Sequence, residues 1–467
     1  MIFRTGRRPK SNLKVTLTAG RNRTTIAILL VLGLVTAACA DEAGTTTTAG
    51  DEDQTTVAGD PTTTAVGESP TDEEVSIHVW SSRTFFVPPA EFEPFMAEYP
   101  NITVTYDVQA NDDILQQLLR MRDAGQPLPD VINDDSFLIQ SYQEAGLLLP
   151  HNEIVAQFEA EDPELFNLIM PSAWEETTID GEAYGQSVLA NFDVLYYNTA
   201  WFEEAGIETP FDSLDEVLDA MRAMKATRPD SIPFTVQAQA GFGVTTLKTV
   251  LAAAGAPFDG AVPDLTSEGG IYAIDWFLQA SNEGLLPPEA VAWGEDESRG
   301  AFVSGDAGLI LDGFRVSADF DEVNFTYPDG WSVTPVPISR SGGGVDGVAL
   351  SSAKTWVVTA DTEHPYEAGL VLRYLAETDN LVDGVLEFGS FPMRQSEALN
   401  DPRIAEFWPF FDEALKESYL GSSPAPAGPN AGAVEGILEQ MFGEIVVGTD
   451  LSAEELAANY QPLLDEA

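Results

Sequence analysis

The stretch GEAYGQSVLANFDVLYYNTAWFEEAGIETP, residues 181–210, decides the fold of this chain. Its segment from Ser187 to Tyr197 is mostly apolar and predicts one long strand, with Asn191 and Asp193 as polar interruptions.

A short helix is predicted directly after this strand, over residues 199–205. Gly206 accepts the left-handed conformation that commonly ends a helix, and Pro210 cannot continue one. A long strand that leads into a new helix can carry the chain from one compact unit to another. An ordinary strand–helix step inside one unit explains the composition equally well.

Strands alternate with helices on both sides of this stretch. Such alternation is typical of an α/β protein with a mostly parallel sheet. The strands are predicted at 75–80, 102–108 and 130–132 before the stretch, and at 234–237, 307–311, 331–338 and 355–359 after it.

Composition and charge exclude several classes of function. The 467 residues are 44% hydrophobic, so a large core and two or three domains are possible. The net charge of −54 excludes nucleic acid and anionic lipid headgroups as direct ligands of the folded part. Cys39 is the only cysteine, so the chain has no intramolecular disulfide and no thiolate metal cluster.

The N-terminal residues are typical of an exported lipoprotein. Residues 1–38 begin with a basic segment and contain the apolar run 26–35, which is too short for a comfortable membrane span and fits a signal peptide. Small residues 36–38 then precede Cys39, an arrangement that resembles a bacterial lipobox and implies lipidation of Cys39. A plain signal peptide cut nearby is the alternative.

Residues 40–74, which we call the tether, are predicted to be disordered. They contain ten Thr and ten acidic residues, with no Lys or Arg and almost no apolar mass. Such a segment cannot offset the entropy of ordering its backbone. The tether would therefore link a membrane anchor to a folded body that starts at Val75.

The sequence lacks the common catalytic and nucleotide-binding motifs. It has no G-x-S-x-G turn, H-E-x-x-H helix, P-loop or dinucleotide fingerprint, and its three histidines are scattered. We therefore expect no chemistry, no cofactor and no metal site. A secreted, tethered hydrolase acting on carbohydrate is the alternative, and it would need an acid/base pair or nucleophile that these motifs do not supply.

Polar and aromatic residues follow several predicted strands. Ligands of open α/β sheets bind beyond the carboxyl ends of the strands. Asp and Arg can hydrogen-bond a hydroxylated ligand, and aromatic rings can cover the apolar face of a sugar. The candidate ligand-binding residues are Trp80, Ser81, Asp134, Asp135, Asn191, Gln237, Phe242, Trp293, Asp312, Arg315, Trp356 and Arg394. Trp276, by contrast, lies in an apolar helix and is predicted to be core.

Several segments, in this order, resemble the extracellular solute-binding proteins that serve carbohydrate-uptake ABC importers. The central stretch resembles the family's crossover segment. The other similar segments are PDVINDDSFLIQSYQEAGLLLP (129–150), FVSGDAGLILDGFR (302–315), GVDGVALSSAKTWVVTADTEHPYEA (344–368), FGSFPMRQS (388–396) and LSAEELAANYQPLLDEA (451–467).

The resemblance implies a two-lobed, periplasmic-binding-protein-like fold of type II, with a hinge of crossing segments. The lobes would be 75–189 plus 350–392 and 190–349 plus 393–467, with crossings near Ala190, 347–351 and 391–394. It also implies a monomeric, surface or periplasmic receptor that delivers a sugar to ABC permease subunits. The chain departs from the maltodextrin binders at Phe314-Arg315 and at GPNAGAVEG (428–436), where those proteins place aromatic residues. A short or charged sugar derivative, or another polar metabolite, therefore stays open.

Overall fold

The structure is a computed structural model of the chain. It describes residues 73–81, 92–109, 114–169, 172–240, 244–317, 320, 323, 325–342, 344–392, 397–428 and 430–467, which belong to one compact unit, residues 63–467. The predicted signal peptide, Cys39 and the tether up to residue 72 lie outside the described residues. Within those ranges, no helix has both the length and the apolar character needed to cross a membrane.

The strands of the described residues form one large mixed sheet and two small hairpins. They are β1 (Val75–Ser81), β2 (Ile102–Val108), β3 (Val131–Asp135), β4 (Thr178–Ile179), β5 (Glu182–Ala183), β6 (Gln186–Asn198), β7 (Ile232–Thr235), β8 (Phe258–Asp259), β9 (Val262–Pro263), β10 (Ala307–Gly313), β11 (Trp331–Pro335), β12 (Leu350–Val358), β13 (Phe391–Pro392) and β14 (Ser423–Pro424).

Helices cover the sheet and separate most of its strands along the chain. They are α1 (Glu93–Glu98), α2 (Ile114–Asp123), α3 (Ile139–Glu144), α4 (Asn152–Glu161), α5 (Pro163–Phe166), α6 (Ser172–Glu175), α7 (Thr199–Ala205), α8 (Leu214–Thr227), α9 (Val244–Ala253), α10 (Glu268–Asn282), α11 (Glu295–Val303), α12 (Pro365–Leu375), α13 (Thr378–Phe388), α14 (Pro402–Phe407), α15 (Glu413–Leu420), α16 (Ala431–Val447) and α17 (Ala453–Asp465).

Strand β6 is shared by the two lobes of the molecule. Its first half, up to Phe192, pairs with β12 and β13, and its second half, from Asp193, pairs with β10 and β11. The prediction of one long strand over 187–197 is therefore confirmed, since β6 extends it by one residue at each end. The strand order β2-β1-β3-β12-β6-β10-β7 makes β6 the element that joins the lobes.

Helix α7 follows β6 because the local sequence begins and ends it. The Asn198 side chain accepts a hydrogen bond from the backbone N–H of Trp201, which satisfies one of the free donors at the helix start. Gly206 has a φ of 68°, a conformation that side chains with a Cβ rarely adopt. The predicted helix over 199–205 has the observed bounds.

The predicted parallel arrangement is right at the outer strands and wrong at the centre of the sheet. Strands β2, β1 and β3 are parallel, as are β10 and β7, but β6 is antiparallel to β10, β11, β12 and β13. The reason is the direction of the chain: β6 leads out of the first lobe and β12 leads back into it. Two such strands, placed side by side, must run in opposite directions.

Three segments meet at Ala190 on β6. Ala353 of β12 pairs with Ala190 on one side and Phe391 of β13 pairs with it on the other. On the second-lobe side, helices α8, α9, α10, α16 and α17 enclose a core around Trp276 and Phe277. On the first-lobe side, β1, β3 and β12 are covered by α2, α3 and α12. A cavity lies beside this junction.

Candidate ligand-binding site

A cavity of about 220 Å³ lies beside the junction of the two lobes. Residues 189–191 of β6 and 352–354 of β12 form its floor, and Asp135 at the end of β3 adds a first-lobe wall. The second lobe contributes the opposite wall. The wall residues from that lobe are Asp193, Gln237, Thr245, Thr246, Glu295, Arg299, Leu311, Asp312, Gly313 and Val316, and Ser390 completes the lining.

Arg299 and Asp312 form a buried ion pair on the second-lobe wall. The Arg299 Nε and Nη2 atoms donate to the two carboxylate oxygens of Asp312, at 2.7 and 2.9 Å. The Nη1 atom donates to Glu295, one helical turn earlier, at 2.8 Å. Only 6% of the Asp312 side chain and 16% of the Arg299 side chain are exposed. Two parallel N–H donors fix the carboxylate in one orientation.

A second ion pair lies on the first-lobe wall. Lys354 contacts the Asp135 carboxylate at 2.5 Å, and both side chains are largely shielded from solvent. Asp134, the neighbouring residue, is 3% exposed and accepts a hydrogen bond from the Tyr142 hydroxyl. The pKa of Asp134 is raised to about 6, first by burial and then by the charge of Asp135, whereas Lys354 opposes the rise.

Asp193 and Asn191 project into the cavity from β6. Residues two positions apart on a strand share a face, and Phe192 between them points into the core. The Thr249 hydroxyl donates to one carboxylate oxygen of Asp193 at 2.8 Å. Burial raises the pKa of Asp193 to about 6, and the charge of Asp312 adds to the rise, whereas Lys248 opposes it.

Gly313 permits the close approach of β10 to β6 at this point. A Cβ atom on Gly313 would lie 2.2 Å from Nδ2 of Asn191, which is far inside van der Waals contact. The Asn191 carbonyl oxygen is buried and has no hydrogen-bond partner among the described residues. A buried amide oxygen without a donor is an acceptor available to a ligand.

Four of the residues predicted from the sequence line this cavity. They are Asp135, Asn191, Gln237 and Asp312. Arg315 follows Asp312 in a 3-10 turn, but its side chain is not among the described ones, and Phe242, Arg394 and Cys39 lie outside the described residues. Asp312 could have paired with Arg315 on a loop; its observed partner is Arg299.

The remaining predicted residues do not line the cavity. Trp80 is 8% exposed, packs in the first-lobe core and donates its indole N–H to His78. Ser81 and Trp356 are fully buried in β1 and β12, and the buried Asp134 accepts a hydrogen bond from Tyr142 instead of lining the cavity. Trp293 packs against the second-lobe core. Strand ends alone do not distinguish a side chain that faces the cavity from one that faces the opposite side of the sheet.

Four charged lining residues were missed by sequence reasoning: Asp193, Glu295, Arg299 and Lys354. Arg299 lies in the middle of α11, and no sequence pattern connects it to Asp312, thirteen positions later. Lys354 lies on β12, whose first residues were not predicted to be strand. Asp193 carried a usable signal, because a carboxylate inside a long apolar run either has a partner or serves a site. Across the described residues, no group of three or more His, Cys, Asp or Glu side chains could hold a metal ion.

The fold is shared with solved solute-binding proteins at low sequence identity. The GacH receptor of Streptomyces glaucescens GLA.O, solved unliganded and with acarbose, matches with a TM-score of 0.68 and 17% identity over 84% of this chain and 99% of that one. The sugar-binding protein MalE of Xanthomonas citri matches with a TM-score of 0.69 and 18% identity over 84% and 98%. Lmo0181 of Listeria monocytogenes, solved with cycloalternan, matches with 0.69 and 16% over 84% and 99%.

The chain also has relatives in Brucella. A protein of Brucella abortus (strain 2308) described as a binding protein is 25% identical over 323 residues, which are 66% of this chain and 72% of the relative. A binding protein of Brucella suis biovar 1 (strain 1330) matches equally well. The model of the bacterial extracellular solute-binding proteins matches residues 85–381, more than half of the chain. The chain therefore belongs to the bacterial extracellular solute-binding protein family, whose members are binding proteins and not enzymes.

Proposed function

We propose that the protein captures a sugar or a short oligosaccharide in this cavity and delivers it to the permease of an ABC importer. The observation that carries the proposal is the position of the cavity, between two lobes and beside the three segments that meet at Ala190. A site in that position can close around a solute by a hinge motion, because few covalent connections resist it.

The polar lining fits a hydroxylated solute. Gln237 lines the cavity and has no hydrogen-bond partner among the described side chains and backbone atoms, so its amide can both donate and accept. The hydroxyls of Thr245, Thr246 and Ser352 add further groups that can donate and accept. Structural neighbours in the same fold include proteins solved with maltose and with tagatose.

The size of the cavity favours a short ligand. Its volume of about 220 Å³ is below the ~300–1,000 Å³ of sites for drug-sized molecules. No aromatic side chain is present among the described lining residues, so the ring-stacking surface of a long oligosaccharide groove is missing from that part of the wall. We infer a ligand of about one or two sugar rings.

The same proposal covers the boundaries of the two lobes, the oligomeric state and the membrane anchor. The lobes comprise 75–189 plus 350–392 and 190–349 plus 393–467, the protein works as an exported monomer, and Cys39 carries the lipid anchor ahead of the tether. Membrane fractionation tests the anchor: Cys39→Ser should release the protein into the medium or leave it as precursor. Unchanged membrane retention of Cys39→Ser would contradict lipidation.

A thermal-shift screen against a panel of mono- and disaccharides tests the function, because a ligand that binds only the native state raises the melting temperature. Isothermal titration of the hit then measures the site. Gln237→Ala should weaken binding about twofold to tenfold, the effect of about 0.5–1.5 kcal/mol expected for one hydrogen bond.

Gln157→Ala is the matched control, because Gln157 is partly exposed on α4, outside the cavity lining, and its side chain pairs within the described residues with Glu161 of its own helix. Its affinity should equal that of the wild type. If no sugar raises the melting temperature, or if Gln157→Ala weakens binding as much as Gln237→Ala, the proposed function or the proposed site is wrong.

A further inference from the structure

We propose that the ligand of this cavity carries a protonated amine, which Asp193 and Asn191 receive. The inference rests on the proposed function only in placing the ligand in this cavity. It commits to an amino sugar rather than a neutral or acidic one.

The charges that line the cavity are unequal. Among the described lining residues there are four carboxylates, from Asp135, Asp193, Glu295 and Asp312, and two cations, from Arg299 and Lys354. Within a partly enclosed cavity, such an excess of negative charge raises the affinity for a cation and lowers it for an anion.

Both cations are already engaged by carboxylates. Arg299 donates to Asp312 and Glu295, and Lys354 contacts Asp135 at 2.5 Å. An acidic ligand would have to break one of these pairs to gain a cationic partner, and it would leave a buried carboxylate without one. Breaking a buried pair in this way is strongly unfavourable.

Among the carboxylates of the described lining, Asp193 is the one without a cationic partner in hydrogen-bond contact. Its one hydrogen bond within the described part of the chain comes from the neutral Thr249 hydroxyl. The cation that lowers the pKa of Asp193 is Lys248, whose amine pairs with Glu435 at 2.9 Å. The second carboxylate oxygen of Asp193 therefore has capacity to accept from a ligand.

Asn191 supplies a second acceptor on the same face of β6. Its buried carbonyl oxygen has no donor within the described ranges, and two positions separate it from Asp193. An ammonium group has three N–H donors and no acceptor, so it can satisfy both oxygens and a water or hydroxyl as well. A sugar hydroxyl donates only one hydrogen bond and does not compensate the charge of Asp193.

The test compares matched sugars that differ in charge. Isothermal titration would use glucosamine and galactosamine, their N-acetyl forms and the neutral parents glucose and galactose, in buffer below the pKa of the amines. We expect at least one amino sugar to bind about tenfold or more tightly than its N-acetyl form and its parent, the effect of one charge-assisted hydrogen bond. Its affinity should also fall with added salt.

Asp193→Asn keeps the shape and removes the charge, so it should abolish most of the preference for the amino sugar over its N-acetyl form and its neutral parent. Asp275→Asn is the control, because Asp275 pairs only with Gln279 on the surface of α10. The preference and its salt dependence in the wild type give a readout that does not depend on the variant's folding.

The outcomes separate this inference from the proposed function. Tighter binding of neutral sugars than of amino sugars, or a preference unchanged in Asp193→Asn, overturns the inference and leaves sugar binding intact. Binding of a linear diamine such as putrescine that depends on Asp193, without binding of any sugar, supports the cationic site and overturns the sugar assignment. Binding of no amine in the panel overturns the inference.

Discussion

Replacing Arg299 with methionine tests whether the ion pair on the second-lobe wall is desolvated. Methionine keeps most of the aliphatic stem and removes the guanidinium that donates to both oxygens of Asp312. The Asp312 carboxylate is only 6% exposed, and its remaining hydrogen bond comes from the backbone N–H of Gly313. We expect Arg299→Met to lower the free energy of unfolding by about 3–5 kcal/mol, because a buried charge loses its partner.

Removing both partners should recover most of that loss. In Arg299→Met/Asp312→Leu the carboxylate that had lost its guanidinium partner is removed as well, and replacing a whole buried pair with apolar side chains is often close to neutral. The two substitutions should therefore be non-additive, with a coupling free energy of about 2–3 kcal/mol. Urea unfolding of residues 75–467 without ligand, followed by tryptophan fluorescence, gives the four free energies of the cycle.

Arg403 is a matched control on the surface. Its guanidinium contacts Asp379, Asp383 and Asp401, but 42% of its side chain is exposed. Arg403→Met should cost less than about 1 kcal/mol, as exposed ion pairs do. A loss below about 1 kcal/mol for Arg299→Met, together with additive effects in the cycle, would refute the claim that this pair is buried and coupled.

Three further predictions concern the fold. Trp276→Ala should lower the free energy of unfolding by about 3–5 kcal/mol in urea titrations, since the ring is 2% exposed, and ligand affinity in the folded variant should not change. Gly308→Ala should destabilise by about 1–3 kcal/mol in the same assay, because its Cβ would lie 2.4 Å from the Met224 sulfur. Burial lowers the pKa of His151 to about 3, so the folded state binds this proton less readily than the unfolded state. Stability relative to His151→Gln should thus fall by about 1.4 kcal/mol per pH unit below pH ~6.5, and parallel pH profiles of the two proteins would contradict this.

The sequence alone predicted the elements whose limits are set by neighbouring residues. Helix α7 has its predicted bounds because Asn198 and Gly206 act within one turn of its ends. The long strand β6 followed from an apolar run that no glycine or proline interrupts. The family resemblance added the two-lobed fold and the position of the crossing near Ala190, neither of which local patterns specify.

Part of the candidate site could also be predicted from the sequence. A polar residue at a strand end or inside an apolar strand is costly unless it serves a site or finds a partner. This reasoning correctly identified four residues that line the cavity: Asp135, Asn191, Gln237 and Asp312. Trp356 shows the limit of that reasoning, since an aromatic ring on a strand can face either side of the sheet. In the structure it is 1% exposed and belongs to the core.

Only the tertiary structure decided the direction of the central strands and the partners of the charges. Strand β12 is antiparallel to β6 because the chain returns from the second lobe. The register in which β12 pairs with β6 depends on how the about 150 intervening residues fold, and local sequence does not specify it. Arg299 meets Asp312 because α11 packs on β10, which brings the two side chains to 2.7 Å. Local propensity specifies where elements begin and end, whereas pairing between distant charges depends on how buried surfaces pack together.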